Sequence, residues 1–257
     1  MQKDNQLIKE IITKKLKCVF ISPHFDDAIL SCGGLMLELA GKTEMTVVNV
    51  FSKANAGPHT LSARRFLKFS GNHSSAQELY SARELEDKST LQKLGVKVIN
   101  LGLEDALFRK KKSKSIFSRV LPELNHVYPT YPLHIIRGAN PNDPAFKQVK
   151  NKLKKLYKEN NIIYFSPYGI GNHADHQVVS SVSRDLFKKL VLYSDFPYNI
   201  RLNDYGSDID GFKKIELIPN QLEKIQLIKM YKTQFEGLFP NGEVKEHNEV
   251  YFIRNKK

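Results

Sequence analysis

Twice along this chain of 257 residues, a short apolar run ends in a cluster of histidine and aspartate and then gives way to a helical pattern. Lys17-Cys18-Val19-Phe20-Ile21-Ser22 is rich in β-branched and aromatic residues and reads as a buried strand. Pro23-His24-Phe25-Asp26-Asp27 follows, and Ala28 to Ala40 reads as a helix closed by Gly41. The second instance begins with Asn161-Ile162-Ile163-Tyr164-Phe165-Ser166. A glycine-rich turn follows over 167–172, and His173-Ala174-Asp175-His176 then opens a helix running towards Leu190. Strand, polar corner and helix, met at two remote places, point to an α/β fold in which both corners reach one edge of a sheet. In open sheets of this kind, ligands bind in the crevice beyond the carboxyl ends of the strands.

The residues at the corners are the parts of a metal-assisted hydrolase. They offer two or three ligands that leave an ion such as zinc an open position, a carboxylate to act as base, and a spare imidazole. His24 and Asp27 are three apart, so one helical turn brings both to one ion, and Asp26 then points elsewhere, as a base acting on water must. His173 and His176 repeat the three-residue offset. Each residue also has a structural reading. A single histidine at a helix start is more often a cap or a satisfied core group than a ligand. Asp26, Asp27 and Asp175 have the chemistry of N-caps or of favourable first-turn carboxylates. Neither structural role explains why both corners carry histidine and aspartate at the same spacing.

Strand patterns at 17–22, 45–51, 96–101, 161–166 and 190–193 alternate mostly with helical ones. They predict a single domain over residues 1–257: a three-layer, Rossmann-like α/β fold with a mostly parallel sheet and helices on both faces. Residues 104–145 are the least regular part and are expected to form a lid or rim over the site. Cys18 in a strand and Cys32 in a helix suggest a reducing compartment and core packing, not a disulfide framework. No apolar run is long enough to span a bilayer and no signal-peptide pattern opens the chain, so a cytoplasmic location is the expectation.

The formal charge of +13 is spread along the chain, densest at 109–114, 147–158 and 184–189. Its structural reading is a lysine-rich solvated surface. A functional reading is attraction of an anionic substrate. A competing function class, a basic nucleic-acid-binding or metal-binding protein without catalysis, uses the charge as a footprint. The scatter of the charge and the lack of a nucleic-acid motif argue against it, so no nucleic-acid partner is expected.

The two corners resemble those of the LmbE-like, PIG-L-type zinc-dependent N-acetylglucosamine de-N-acetylases, whose pattern is Pro-His-x-Asp-Asp after the first strand and His-x-Asp-His after a later one. Tyr80-Ser81-Ala82-Arg83-Glu84-Leu85-Glu86, Leu101-Gly102-Leu103-Glu104-Asp105, Asp195-Phe196-Pro197-Tyr198 and Tyr231-Lys232-Thr233-Gln234-Phe235 look like further landmarks, so the likeness runs over roughly residues 17–240. The resemblance implies zinc, with iron or cobalt as alternatives, held by His24, Asp27 and His176. It implies Asp26 as general base, His173 as acid or oxyanion stabiliser, and Asp175 as the group that orients His173. Arg83 and Asp105 are the implied contacts to sugar hydroxyls, although Arg83 also has Glu86 in reach on its own helix. The implied substrate is an N-acyl amino sugar or its conjugate. Phe25, Ala28 and Ala174 depart from the family pattern, which often has proline, glutamate and proline there. They leave the metal and acid/base positions intact and bear on substrate identity.

Overall fold

The protein is described by a computed structural model covering residues 6–71, 73, 75–111, 121–130, 133–156 and 161–255. Helix α1 (Gln6–Thr13) leads into β1 (Lys17–Ser22), α2 (Asp27–Leu39) and β2 (Met45–Asn49). Helices α3 (Leu61–Phe69) and α4 (Ala76–Gln92) precede β3 (Lys97–Asn100), and α5 (Ala145–Leu156) precedes β4 (Ile162–Pro167). Then come α6 (Ala174–Leu186), β5 (Leu190–Tyr193), α7 (Tyr198–Leu202), β6 (Phe212–Leu217), α8 (Gln221–Ile228), α9 (Lys232–Leu238) and β7 (Glu249–Arg254). The strands form one sheet in the order β3-β2-β1-β4-β5-β7-β6. The first five are parallel, whereas β7 pairs antiparallel with both β5 and β6.

The parallel strands were legible because they are buried on both faces and alternate between two cores. Cys18 and Phe20 of β1, with Ile163 and Phe165 of β4, face the core covered by α1, α2 and α8. Val19, Ile21, Ile162 and Tyr164 face the opposite core, covered by α5 and α6. Phe20 and Phe165 are register partners whose rings stack at 4.5 Å, locking the two site-bearing strands together. Truncating either ring leaves a cavity at the middle of the sheet, a loss typically of about 3–5 kcal/mol. Cys18 and Cys32 both pack in the first core.

The sequence pattern misses the last two strands. Strand β6 is an edge with exposed Lys213 and Lys214, and its mixed exposure erases the apolar signal. Strand β7 is apolar but returns antiparallel, a pairing the helix-strand alternation does not predict. The observed β2 ends at Asn49, two residues short of the expected 51, although Val50 and Phe51 still donate to Ser22 O and Pro23 O and so lead β2 into the first corner.

Because β1 and β4 are neighbours yet remote in sequence, the chain changes direction across the sheet between them, and both corners open into the crevice at that switch point. A third apolar cluster, including Phe25, Tyr80, Phe108, Tyr128 and Ala174, lies around the corners and is built from the segments that carry the site. Among the described residues, no helix is long and apolar enough to cross a membrane. Residues 112–114 and 157–158 of the basic stretches, and 112–120 and 131–132 of segment 104–145, fall outside the described residues.

Candidate active site

At the first corner the backbone is tied by its own side chains. Ser22 Oγ donates to His24 O at 2.5 Å and accepts from Ala28 N at 3.0 Å, while the His24 N–H donates to Asp27 Oδ2 at 2.8 Å. This folds Asp27 back beside the His24 ring, 3.1 Å from Nδ1. At the second corner, Gly169 and Gly171 take φ of +98° and +81°, and a Cβ on Gly171 would lie 2.7 Å from the Tyr198 ring. That turn delivers α6 with His176 Nε2 3.3 Å from Asp27 Oδ2. His24, Asp27 and His176 thus each present a ligand atom within 4.8 Å of the others, all three side chains being buried.

Each of the two histidines has a carboxylate behind it. His24 Nε2 lies 3.1 Å from Asp175 Oδ2, and His176 Nδ1 lies 2.7 Å from Asp195 Oδ1. A proton on each of those nitrogens leaves His24 Nδ1 and His176 Nε2 as the free lone pairs beside Asp27, the tautomers a metal needs. Asp195 Oδ2 also accepts from Gly169 N and Ile170 N, so one carboxylate orients a histidine and fixes the glycine turn. Burial alone would lower both imidazole pKa values. Asp105, Asp175 and Asp27 overcome it for His24, raising it well above 6.5, and Asp27 and Asp195 push His176 up to about 10. In the absence of an ion, the carboxylate cage therefore holds its histidines protonated, and a divalent cation would replace those protons. Two imidazoles and one carboxylate with matched outer-shell partners fit a catalytic divalent ion of the zinc or iron(II) type.

The resemblance gave Asp175 to His173, and here the geometry differs. The Asp175 carboxylate takes His24 Nε2, the Ala106 N–H at 2.8 Å, and the Arg109 guanidinium. His173 is the N-cap of α6, and its Nδ1 accepts from the Asp175 backbone N–H at 3.3 Å. Its Nε2 therefore carries the ring proton. Burial and the positive His24 and His176 rings lower the His173 pKa to about 3, so the ring stands neutral as a hydrogen-bond donor.

Asp26 occupies the N-cap position of α2 but makes no capping bond; its Oδ1 accepts from Arg83 Nη2 at 3.2 Å. Burial raises the Asp26 carboxyl above its ordinary value, the Arg83 guanidinium opposes this, and Asp27 adds to it. Arg83 is 4% exposed and turned inward, while Glu86 accepts instead from Thr233 N and Oγ1. Asp105 accepts from Tyr80 OH at 2.5 Å and from Leu107 N at 2.8 Å, and lies 3.4 Å from His24 Nε2. His24, Asp26, Asp27, Arg83, Asp105 and His173 all line a cavity of about 470 Å³. Asp175 and His176 lie behind its wall.

The sequence matches the PIG-L family, described as GlcNAc-PI de-N-acetylase, across residues 19–187. This chain belongs to the PIG-L family. Over 92% of this chain and 90% of the relative, it is 26% identical to the 2'-N-acetylparomamine deacetylase of Niallia circulans. The A40926 pseudoaglycone deacetylase superposes with a TM-score of 0.66 at 21% identity, covering 95% of this chain and 99% of that one. Teicoplanin deacetylase in a zinc-inhibited form superposes with a TM-score of 0.73 at 18% identity, covering 92% and 97%. At such identities the structural likenesses show a shared fold.

Two supporting residues of this PIG-L domain escaped the sequence reading. Arg109 opens a basic run that looks solvated, yet it is 3% exposed, paired to Asp143 Oδ2 at 2.5 Å and to Asp175, and lies over the Phe51 ring at 4.6 Å. Asp195 was visible only as a landmark; its place directly after an apolar strand was the available signal. Ala174, a departure from the family pattern, donates its N–H to Ile135 O at 2.8 Å, a bond proline cannot make.

Proposed function

We propose that this protein is a metal-dependent hydrolase that removes the acetyl group from the amide nitrogen of an N-acetylated amino sugar conjugate. The observation that carries the proposal is the buried His24–Asp27–His176 group with Asp26 beside it on the floor of the cavity. Zinc is the ion we assign, and iron(II) and cobalt(II) suit the same donors; when bound it would polarise the amide carbonyl and acidify water. Asp26 takes a proton from the attacking water as the new C–O bond forms. The neutral His173 Nε2–H donates to the carbonyl oxygen as negative charge develops there, the role a non-protonated imidazole at a helix N-terminus can fill. Asp26 then passes its proton to the nitrogen, the C–N bond breaks, and acetate and a free amine leave. Arg83 holds the Asp26 carboxylate in place, and with Asp105 faces the sugar.

The test is metal content together with acetate release from N-acetylglucosamine conjugates, for wild type beside Asp26→Asn. About one divalent ion per chain is expected in both proteins. Turnover should fall by roughly 100- to 10,000-fold in the variant. Turnover of Asp26→Asn near the wild-type rate would remove Asp26 from the role of base, and a protein that takes up no metal would overturn the proposal.

A further inference from the structure

Tyr80 is a buried titratable group that the reaction above does not use. It lies behind the cavity wall, 4% exposed and outside the set of described residues that line the cavity. Its hydroxyl nevertheless donates to Asp105 Oδ2 at 2.5 Å, and Arg83 Cζ lies 5.2 Å from the centre of its ring. Asp105 and Arg83 both line the cavity. Tyr80 and Arg83 are three residues apart on α4, so one helix face delivers both.

Arg83 is thinly bonded for a buried cation. Among the described residues its side chain makes one hydrogen bond, to Asp26 Oδ1 at 3.2 Å, and its buried Nε finds no partner. Two aromatic rings supply the rest. Arg83 Cζ is 5.2 Å from the Tyr80 ring centre and 5.9 Å from that of Phe25, inside the roughly 6 Å over which a ring attracts a cation. The two rings meet edge to face with their centres 6.2 Å apart, so each braces the other. Phe25 is one of the chain's departures from the family pattern, and a proline there would offer the guanidinium no aromatic face.

Asp105 is held at its other oxygen by the Leu107 N–H, which donates to Oδ1 at 2.8 Å. Oδ2 lies 3.4 Å from His24 Nε2, and the Tyr80 hydroxyl is the contact that draws it the other way. Burial and the Asp105 charge hold the Tyr80 pKa well above 10, so the phenol keeps its proton and donates. Asp105 then faces the cavity as an acceptor, suited to a sugar hydroxyl that donates.

We infer that Tyr80 is a positioning residue that sets both polar groups at once, its hydroxyl fixing Asp105 and its ring, with Phe25, fixing Arg83. This role rests on the reaction proposed above, with Asp105 and Arg83 facing the sugar, and adds the residues that hold them there.

The experiment compares kcat and KM for an N-acetylglucosaminide and its monodeoxy analogues, with metal content, in wild type, Asp105→Ala, Tyr80→Phe and Phe25→Leu. Asp105→Ala identifies the hydroxyl that Asp105 receives, as the one whose deletion ceases to matter. In wild type that deletion should cost roughly 10- to 100-fold in kcat/KM, the size of a hydrogen bond to a charged group. Tyr80→Phe keeps the ring, so metal and kcat should stay near wild type while KM rises and that one penalty shrinks. Phe25→Leu should do the converse, keeping the metal and the penalty but lowering kcat by about 2- to 30-fold, the range of a cation–π contact. An unchanged penalty in Tyr80→Phe, or a uniform loss on all substrates, makes Tyr80 a packing residue and overturns the role while the hydrolase stands. Metal loss from Tyr80→Phe also overturns it, by making Asp105 a support of His24. Wild-type kcat in Phe25→Leu removes the ring from the role. If Asp105→Ala leaves every penalty intact, the sugar contact fails and the role with it, although acetate is still released. If no compound is hydrolysed, the proposed reaction fails, and binding of the same compounds decides the role: a penalty that shrinks in Tyr80→Phe upholds it, and any other result overturns it.

Discussion

At the β1 corner, Asp27 keeps its carboxylate local, accepting the His24 N–H and facing the His24 ring and His176. At the β4 corner, Asp175 sends its carboxylate across to the other corner, to His24 Nε2 and to Arg109. The β1 corner thus supplies two of the three candidate ligands and the candidate base, whereas the β4 corner supplies one candidate ligand, the His173 imidazole and the carboxylate behind its neighbour's histidine. The difference comes from what each corner packs against. Asp175 meets a buried arginine delivered by a distant loop; among the described residues the Asp27 carboxylate bonds within its own turn and faces the ring of His176. Equal spacing of histidine and aspartate therefore does not mean equal roles.

The largest effect should separate the two histidines of the β4 corner. His176→Ala is expected to lose both bound metal and turnover, while His173→Ala keeps the metal and loses roughly 100- to 10,000-fold in kcat. Elemental analysis beside acetate release reads both, and metal loss from His173→Ala would redraw the ligand set. A smaller effect tests the carboxylates behind the ligands. Asp175→Asn and Asp195→Asn should each weaken metal affinity by about 10- to 100-fold, measured by competition with a chelator. Asp175→Asn should also leave Arg109 without one of its two carboxylates and lower the melting temperature. If only Asp195→Asn alters affinity, Asp175 serves the fold and not the ion.

The smallest effect concerns Asp87, outside the cavity, which accepts from Tyr231 OH at 2.8 Å and Asn49 Nδ2 at 2.7 Å. Burial pushes its carboxyl pKa up to about 7, against the hydrogen bonds from Tyr231 and Asn49. With the folded value above the unfolded one, its contribution to stability is fully present below about pH 4 and is lost as pH rises through 7. Asp87→Asn, in which the Tyr231 hydroxyl can turn to accept, should gain on wild type across that window, by at most roughly 4 kcal/mol. Urea denaturation of both proteins at pH 5 and pH 8 checks it; a gap that does not widen with pH means that Asp87 is ionised throughout.

How far the site was legible follows from which signals are local. The metal-ligand candidates could be read because His24 and Asp27 directly follow the apolar strand β1, while His176 opens the helix that a glycine turn connects to the apolar strand β4, and neighbouring parallel strands bring such corners to one sheet edge. Arg109 could not be read that way. A lysine-rich neighbourhood looks solvated in sequence, and only the pairing with Asp143 and Asp175 takes this one cation inside. The pairing of Arg83 was misdirected by helix geometry, since Glu86 lies one turn away but bonds Thr233 while Arg83 turns to Asp26.

The sequence by itself determined the doubly buried parallel strands, the two corners and the identity of the groups that meet there. Hydrophobic alternation and helix-start chemistry act over a few residues and leave their mark in the chain. Only the tertiary structure decided which carboxylate stands behind which histidine, that His173 is a neutral donor, and that Tyr80 touches both Asp105 and Arg83. Those outcomes depend on contacts between segments up to 151 residues apart, where burial and the nearest charge fix a side chain's partner and protonation.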